Sequence, residues 1–141
     1  MLAPDQRDLL SAALRHQEDA ERLLAPSPDQ SWHLAGYVTE CVRKAVLTVK
    51  PFRVALSHEQ GKHFDALFEI VVALDPRASR LRVSGWANPG TRLFAWSESH
   101  RYDATHKHAA AAADLVRETG THFERALTAL WLTDPLDPGS L

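Results

Sequence analysis

An arginine and a histidine in the second half of the chain are of the right types to carry chemistry on a phosphate ester. Arg101 precedes His106 by five positions, in the sequence RYDATH. A guanidinium stays charged at physiological pH and can hold two phosphoryl oxygens at once, and an imidazole accepts or releases a proton near neutral pH. Arg101 and His106 are therefore the candidate catalytic pair.

The spacing of the pair constrains the backbone between them. On one continuous helix, five residues rotate by about 500° and leave the two side chains about 140° apart. Convergence requires a change of direction, and Asp103 is a suitable N-cap for a helix that starts there. We expect Arg101 in a loop and His106 in the first helical turn, where the helix dipole attracts phosphate and favours a neutral imidazole, the form a general base needs. In the alternative interpretation, Arg101 is a structural ion-pair residue and His106 is merely solvated.

The connector before this pair is basic and carries aromatic residues. Between positions 77 and 101 the only acidic residue is Glu98, and the arginines are Arg77, Arg80, Arg82, Arg92 and Arg101. Interleaved with them are Trp86, Phe94 and Trp96. Such a mixture suits single-stranded RNA, through phosphate contacts and base stacking. Alternatively, the aromatic rings fold back on the core and the arginines are solvated or paired with acidic residues of the helices.

Other reactive residue types give weaker signals. Glu40 and Lys44 are spaced for an ion pair along a helix, which is either structural or part of the same cleft. Zinc is not expected, because no carboxylate or cysteine stands at ligand spacing from the histidines around position 100, and histidines two apart on a helix diverge. The eight histidines are expected mostly at the surface. Cys41, the single cysteine, is interpreted as a core residue that forms no disulfide.

The elements that position these residues are predicted to be helices. Alanine and leucine account for 21 and 19 of the 141 residues, and alternation typical of strands is nearly absent. The expected fold is an all-α, up-and-down bundle of four to five helices. Apolar periodicity and breakers give the helices as about 5–24, 28–50, 61–74 and 104–132.

Glycine and proline refine this plan. Ser27 and Pro28 are expected to begin the second helix, and Pro51 to end it. Gly36 predicts a close approach to a neighbouring helix, and Gly120 a kink. Residues 76–99 are interpreted as a long functional loop, with a short helical piece around 77–81.

Three stretches of the chain carry a family resemblance. They read HLAGYVTECVRKA at 33–45, GKHFDAL at 61–67 and WSESHRYD at 96–103. In this order, across roughly residues 5–132, they resemble the HEPN family of prokaryotic helical domains. The resemblance implies a homodimer, often a metal-independent endoribonuclease, and frequently a toxin whose antitoxin is a small nucleotidyltransferase.

The resemblance also assigns roles to residues. Family nucleases carry an arginine followed four to six residues later by a histidine, and Arg101 and His106 match this pattern. The implied reaction needs no metal or other cofactor: His106 removes a proton from a ribose 2′-hydroxyl, which attacks the phosphorus while Arg101 stabilises the developing charge. The remaining candidates for the cleft or for RNA binding are Glu40, Lys44, Tyr102, Asp103, Arg80, Arg82 and Arg92.

Two alternatives to a nuclease remain open. One is a non-catalytic module that holds a nucleotidyltransferase partner or a nucleotide in the same cleft, and the other is a structural helical dimer. Some toxins of the family carry a tyrosine two residues after the histidine, to which the partner adds nucleotides. That position is His108, so control by this route is not expected.

Composition bounds the remaining possibilities. With 45% hydrophobic and 24% charged residues, the chain is in the globular range, and its length fits one domain, residues 1–132, with a flexible tail at 133–141. A net charge of −2 argues against a polybasic protein that coats nucleic acid. No run is apolar enough to span a membrane and no signal peptide is evident, so a cytoplasmic protein without membrane contact is expected.

Overall fold

The computed structural model describes residues 2–47, 62–81 and 90–133, which form an all-α helical bundle, as the sequence predicts. Within these ranges there is no strand. The described ranges contain five α-helices: α1 (Pro4–Leu23), α2 (Pro28–Val46), α3 (Lys62–Leu74), α4 (Arg92–Ala95) and α5 (Ala109–Thr133). Two 3-10 helices, Pro76–Leu81 and Glu98–Tyr102, precede α4 and follow it. None of the helices described is long and apolar enough to cross a membrane.

The second helix is the centre of the bundle. The residues of α2 that are buried lie on most of its surface, whereas α1 buries a single stripe. Polar side chains join the helices at carbonyl groups. Ser31 Oγ donates to the Ala20 carbonyl (2.6 Å), and Gln17 Nε2 donates to the Val116 carbonyl (3.0 Å). These bonds satisfy buried donors and fix α1 against both α2 and α5.

The core is built from apolar residues at three- and four-residue spacing on the three long helices. Its fully buried members include Leu10, Ala13, Ala20, Ala35, Val38, Val42, Ala45, Val46, Ala112, Leu115 and Ala126. Because a helix turns once in 3.6 residues, this spacing puts each set on one face. The amphipathic pattern that predicted the helices is therefore the pattern that buries them.

Most helix boundaries agree with the sequence. The second helix begins with Ser27 at its N-cap and Pro28 in its first turn, as predicted. It ends at Val46, earlier than the predicted 50, because Leu47 is extended. The last helix runs through Gly120 as one helix, and the kink there stays a prediction. The flexible tail was predicted at 133–141, but Thr133 is the last residue of α5. The rest of that tail and the predicted stop at Pro51 lie outside the described residues.

The connector at 76–99 is more regular than the long loop that was predicted. The short helical piece expected around 77–81 is confirmed as the 3-10 helix Pro76–Leu81. A further helix, α4, occupies Arg92–Ala95, and the Thr91 hydroxyl caps it by accepting the Phe94 N–H. The part between them, 82–89, lies outside the described residues.

A glycine of α2 makes room for a tryptophan of this connector. A β-carbon at Gly36 would overlap the Trp96 indole, so only glycine fits. The Trp96 Nε1–H donates to the Trp32 carbonyl (3.2 Å), and the ring is buried. Gly36 was expected to allow close approach of a helix. It admits a ring from the segment between α4 and α5 instead.

Candidate functional site on one face of the second helix

Residues 96–108, here called the docked segment, run along α2 towards its N-terminus. Trp96 packs at Gly36, and further on the Trp32 Nε1–H donates to His100 Nδ1 (3.0 Å). At the far end, the backbone N–H groups of residues 106 and 108 donate to the carboxylate of Asp29 (2.5 and 3.3 Å). The candidate catalytic residues are thereby fixed to one side of α2.

Two histidine rings of the docked segment form a stack with the Trp32 ring of α2. His108 stacks on Trp32, with ring centroids 4.9 Å apart and planes 7° from parallel, and on His100, at 4.2 Å and 20°. His108 Nε2 also makes a 2.6 Å hydrogen bond to Asp103 Oδ2, which lowers the pKa of Asp103. Lys107 pairs with the same oxygen at 3.3 Å. Asp103 is therefore occupied by side chains of its own segment.

His100, Asp103 and His108 are the residues of this region with the right types to hold a metal ion. Their ligand atoms lie within 4.8 Å of one another. The hydrogen bonds of the stack oppose ligation, however. His100 Nδ1 accepts from Trp32 Nε1 and from the Ser97 N–H (3.3 Å), whereas an imidazole that binds a metal through Nε2 carries its proton on Nδ1.

The ring geometry opposes a metal as well. A ligand nitrogen directs its lone pair in the plane of its ring, and two stacked rings have no common in-plane point between them. The arrangement is a hydrogen-bonded stack and not a preformed ligand set. The reason given from sequence, divergence along a helix, does not apply here, because these histidines precede α5.

His106 occupies a bend that was not predicted. Asp103 was expected to cap the last helix and His106 to lie in its first turn, but α5 begins only at Ala109. Residues 105–108 form a turn, and His106 has a left-handed backbone conformation, with φ 70°. That conformation is uncommon for a residue with a side chain, although histidine is among the more tolerant types. The helix-dipole argument for a neutral His106 is therefore wrong.

The physical reason is that Asp29, and not Asp103, accepts the backbone N–H groups of this turn. The turn is held from α2, which delays the start of α5, while the His106 side chain stays exposed. The backbone does change direction between Arg101 and His106, as convergence requires. Among the described residues, no hydrogen bond, ion pair or ring contact joins these two side chains.

Arg101 lies near a histidine and a tyrosine of α2. Its side chain is exposed, and its Cζ is 4.9 Å from the centre of the Tyr102 ring, itself 78% exposed. Burial lowers the pKa of His33, and among the charges around it Arg101 has the largest further lowering effect. Burial and Glu40 raise the pKa of Tyr37, and Arg101 opposes this shift. The guanidinium is thus close enough to affect both rings.

The rings beside Arg101 form an aromatic cluster on α2. The His33 ring meets Tyr37 edge-on, with centroids 5.0 Å apart, and lies 6.3 Å from Trp96. Tyr37 also contacts Trp96 at 5.4 Å and His16 of α1 at 5.7 Å. Within the described part of the chain, His33 Nδ1 is buried without a hydrogen-bond partner. Sequence reasoning missed this cluster, although the four-residue spacing of His33 and Tyr37 was a signal for a shared face.

The predicted pair of Glu40 and Lys44 is confirmed. Lys44 Nζ donates to Glu40 Oε1 at 2.7 Å, and the Glu40 side chain is buried. Glu40 lies about one turn beyond Tyr37 along α2, so the ion pair adjoins the aromatic cluster along the helix. The ion pair agrees with both interpretations given for it, the structural one and the one that places it in the cleft.

Some residues of the basic connector agree with the structural interpretation given for it, and others agree with the RNA-binding interpretation. Trp96 is buried and Arg92 pairs with Asp114 of α5 (3.4 Å), as the structural alternative predicts. Phe94 is 58% exposed, as the RNA-binding alternative predicts. Arg80 lies in a 3-10 helix, but its side chain, like Arg82 and Trp86, is outside the described part of the chain.

Cysteine and histidine show how burial changes residue roles. Burial raises the pKa of Cys41 to about 11, which keeps the thiol protonated and fits a packing role. Among the six histidines whose burial the structure describes, His106 is exposed, four are half-buried at the surface, and His122 is buried in the core. Most of them lie at the surface, as expected, and His122 is the exception.

No protein-family model, curated protein or solved structure matches the chain. The function must therefore be argued from the docked segment and the face of α2 beneath it.

Proposed function

We propose that this protein is a metal-independent endoribonuclease of the HEPN type. In this proposal Arg101 binds the scissile phosphate, and His106 takes part in proton transfer as the 2′-hydroxyl attacks phosphorus. The products carry a 2′,3′-cyclic phosphate or a 3′-phosphate and a 5′-hydroxyl. A role as the toxin of a toxin–antitoxin pair, with a small nucleotidyltransferase as antitoxin, extends the same proposal.

One observation carries this proposal: the docked segment is anchored at three points while Arg101 and His106 remain exposed. The anchors are the Trp96 ring, the Trp32–His108–His100 stack and the Asp29 carboxylate. A charged guanidinium and an imidazole are thus presented from a fixed backbone, which lowers the entropic cost of orienting a substrate. A segment that is held by buried anchors while these two side chains stay exposed is suited to form a binding or catalytic surface.

The absence of a contact between Arg101 and His106 fits a site made by two subunits. In a symmetric dimer, the arginine of one subunit can meet the histidine of the other in a shared cleft. The dimer is a part of the proposal that subunit mixing tests. Mixing inactive Arg101→Ala with inactive His106→Ala would restore one working site in each mixed dimer, or about a quarter of the activity overall.

The direct test is cleavage of mixed RNA by the protein in EDTA. We expect the wild type to cleave and both Arg101→Ala and His106→Ala to lose about 100-fold or more of the rate. Arg22→Ala is the matched control, because Arg22 is also exposed and its ion pair is with Asp19, one turn away on the same helix. Its rate should equal that of the wild type.

The outcomes separate the proposal from its rivals. RNA that stays intact with the wild type at every concentration contradicts the nuclease. Equal cleavage by all the variants would identify a contaminating nuclease and would also contradict it. A dimer is contradicted if the wild type sediments as a monomer at assay concentration.

The second candidate is a non-catalytic module that holds a nucleotide or a nucleotidyltransferase. It is favoured by Tyr102, whose exposed ring lies beneath the Arg101 guanidinium, an arrangement that can stack on a base and pair with its phosphate. It predicts that nucleotide binding persists in His106→Ala and weakens in Tyr102→Ala, with no cleavage by any form. Fluorescence titration with a labelled nucleotide measures both.

A further inference from the structure

We propose that Asp29 of α2 is a positioning residue, which holds the His106 backbone in the conformation that aims the imidazole at the substrate. This inference rests on the proposed ribonuclease function and deepens it, because it names the group that orients the histidine of proton transfer. Asp29 touches neither the substrate nor the reacting atoms, and it acts through the backbone of residues 106–108. In the sequence it is only an acidic residue in the first turn of a helix.

Both oxygens of the Asp29 carboxylate accept backbone N–H groups of the docked segment. Oδ2 accepts the His106 N–H at 2.5 Å, and Oδ1 accepts the His108 N–H at 3.3 Å. Hydrogen bonds to a carboxylate are roughly twice as strong as bonds between neutral groups. The bend in the docked segment is therefore held by a strong tertiary contact from α2.

Asp29 takes the place of the acceptor that the local sequence offers. In a helix with Asp103 as its N-cap, His106 would be the third residue, and the cap side chain would accept its N–H. In the structure the Asp103 carboxylate is bonded to His108 Nε2 at 2.6 Å and to Lys107 Nζ at 3.3 Å. The His106 N–H goes to Asp29 instead, and the chain turns before it enters α5.

His106 is held in a backbone conformation that a residue with a side chain rarely adopts. Its φ is 70°, and of the described residues other than glycine it alone has a positive φ. Such conformations persist where the surrounding structure imposes them, and they are concentrated at functional sites. The His106 carbonyl accepts the Ala109 N–H at 3.3 Å, a local contact, whereas its N–H is bonded to Asp29. Asp29 is thus the distant group on which the bend depends.

The bend separates the His106 side chain from those of its neighbours. Lys107 and His108 both turn to Asp103. The His106 ring is exposed and, in the described part of the chain, makes no hydrogen bond, ion pair or ring contact. Because φ sets the direction of the bond from Cα to Cβ relative to the flanking peptide groups, the bend determines where the imidazole lies. Proton transfer depends on that position, since a misplacement of about 1 Å can cost about 100-fold in rate.

The test compares Asp29→Ala with Asp5→Ala in the RNA cleavage assay in EDTA. Asp5 is the matched control, because it follows a proline at the start of α1 as Asp29 does at the start of α2, and both residues are half-buried. We expect Asp29→Ala to lose about 10- to 100-fold of kcat. Its affinity for 2′-O-methylated RNA, which lacks the attacking hydroxyl, should stay within about threefold of the wild type, because Arg101 is unchanged. Asp5→Ala should keep the wild-type kcat.

A second substitution distinguishes positioning from a general loss of structure. If Asp29 acts through His106, adding Asp29→Ala to His106→Ala should lower the residual kcat by less than about threefold. A general effect on the fold would lower kcat by the same factor in both backgrounds. Asp29→Asn keeps one of the two acceptor oxygens, so its kcat should lie between those of the wild type and Asp29→Ala.

The wild type offers a measurement that needs neither a variant nor cleavage. The His106 amide should be protected from hydrogen exchange although its ring is exposed, because Asp29 accepts the N–H. Where Asp29→Ala folds, the backbone chemical shifts of residues 104–108 should move towards helical values. Asp103 is then the acceptor that remains for the His106 N–H.

The results separate this inference from the proposed function. A cleaving wild type whose Asp29→Ala variant keeps its kcat within about threefold overturns the role of Asp29 and leaves the nuclease intact. An equal loss of kcat in Asp5→Ala, or in the His106→Ala background, overturns it as well. So does a His106 amide that exchanges as fast as an unprotected one. A wild type that cleaves no RNA overturns both the nuclease and the positioning role.

Discussion

Histidines that contact α2 lie in two contrasting environments. On the side of α5, His122 is buried and its Nδ1 lies 3.3 Å from the Thr39 hydroxyl, beside the charges of Arg43 and Arg125. On the side of the docked segment, His33 and His106 each keep part of the ring open to solvent. The same residue type thus serves packing on one side and is free for chemistry on the other, and the difference lies in what covers it.

The docked segment itself repeats this contrast at shorter range. His100 and His108 are held by Trp32, Ser97 and Asp103, so one ring nitrogen of each, His100 Nδ1 and His108 Nε2, is occupied by the protein. His106 lies between them in sequence and offers only its backbone to Asp29. Occupied histidines hold the segment in place, and the unoccupied one is presented by it.

The largest expected effect concerns Trp96, which anchors the docked segment to α2. Trp96→Ala should lower the free energy of unfolding by about 3–5 kcal/mol, because the buried indole fills the notch at Gly36. Phe94→Ala, two residues earlier and largely exposed, should cost less than about 1 kcal/mol. Denaturant unfolding measures both changes. Equal losses in the two variants would mean that the segment is not anchored by Trp96.

The next largest effect concerns the buried histidine, His122, and the pH dependence of stability. Burial, with Arg43 and Arg125, lowers the pKa of His122 to about 4. As the pH falls through about 6.5, His122 binds a proton in the unfolded chain but remains neutral in the folded chain. His122 therefore costs no stability above about pH 6.5 and up to about 3 kcal/mol as the pH falls from 6.5 to 4.

Removing this titration should flatten the pH dependence of stability. His122→Gln, which can still bond to Thr39, should lose less unfolding free energy than the wild type between about pH 6.5 and 4. His106→Asn is the control, since it removes an exposed histidine and tolerates the left-handed bend. Identical slopes in the wild type and His122→Gln would contradict a neutral buried ring.

The smallest effect concerns the docked segment. His100 Nδ1 accepts two N–H groups, and protonation of that nitrogen would remove both bonds. Burial and His108 lower the pKa of His100, with Lys107 acting the same way and Asp103 against it. The docked arrangement is therefore complete above about pH 6.5 and weakens as the pH falls below it.

Hydrogen exchange of the amides in residues 96–108 measures this weakening. Opening should become easier by about 1–2 kcal/mol at about pH 5.5 compared with about pH 7.5, after correction for intrinsic rates. His100→Ala should show the low-pH behaviour at both values, and Ser99→Ala, at an exposed neighbour, should behave as the wild type. Protection that is equal at the two pH values would exclude His100 as the sensitive group.

Local patterns in the sequence were sufficient for the helices and for contacts within one helix. The start of α2 at Pro28 and the Glu40–Lys44 pair were predicted because both depend on residues within one or two turns. The late start of α5 was not predictable in the same way. Asp103 has the local qualities of an N-cap, but Asp29, more than seventy positions away, accepts the backbone groups that decide where the helix begins.

The candidate site was only partly accessible from the sequence for the same reason. Arg101 and His106 were found because they are close in sequence and of reactive types. The cluster of His33, Tyr37 and Trp96 was missed, because Trp96 reaches the other two rings only when the docked segment folds back on α2. Contacts between residues so far apart in sequence depend on where buried rings such as Trp96 fit in the tertiary structure.

By itself the sequence determined the all-α class, most of the helix ends, the apolar faces and the exposed reactive pair, because helix propensity, capping and amphipathic spacing act over a few residues. Only the tertiary structure decided which histidines are occupied and which are open. That decision depends on burial and on hydrogen bonds between distant residues, as Trp32 with His100 and Thr39 with His122 illustrate.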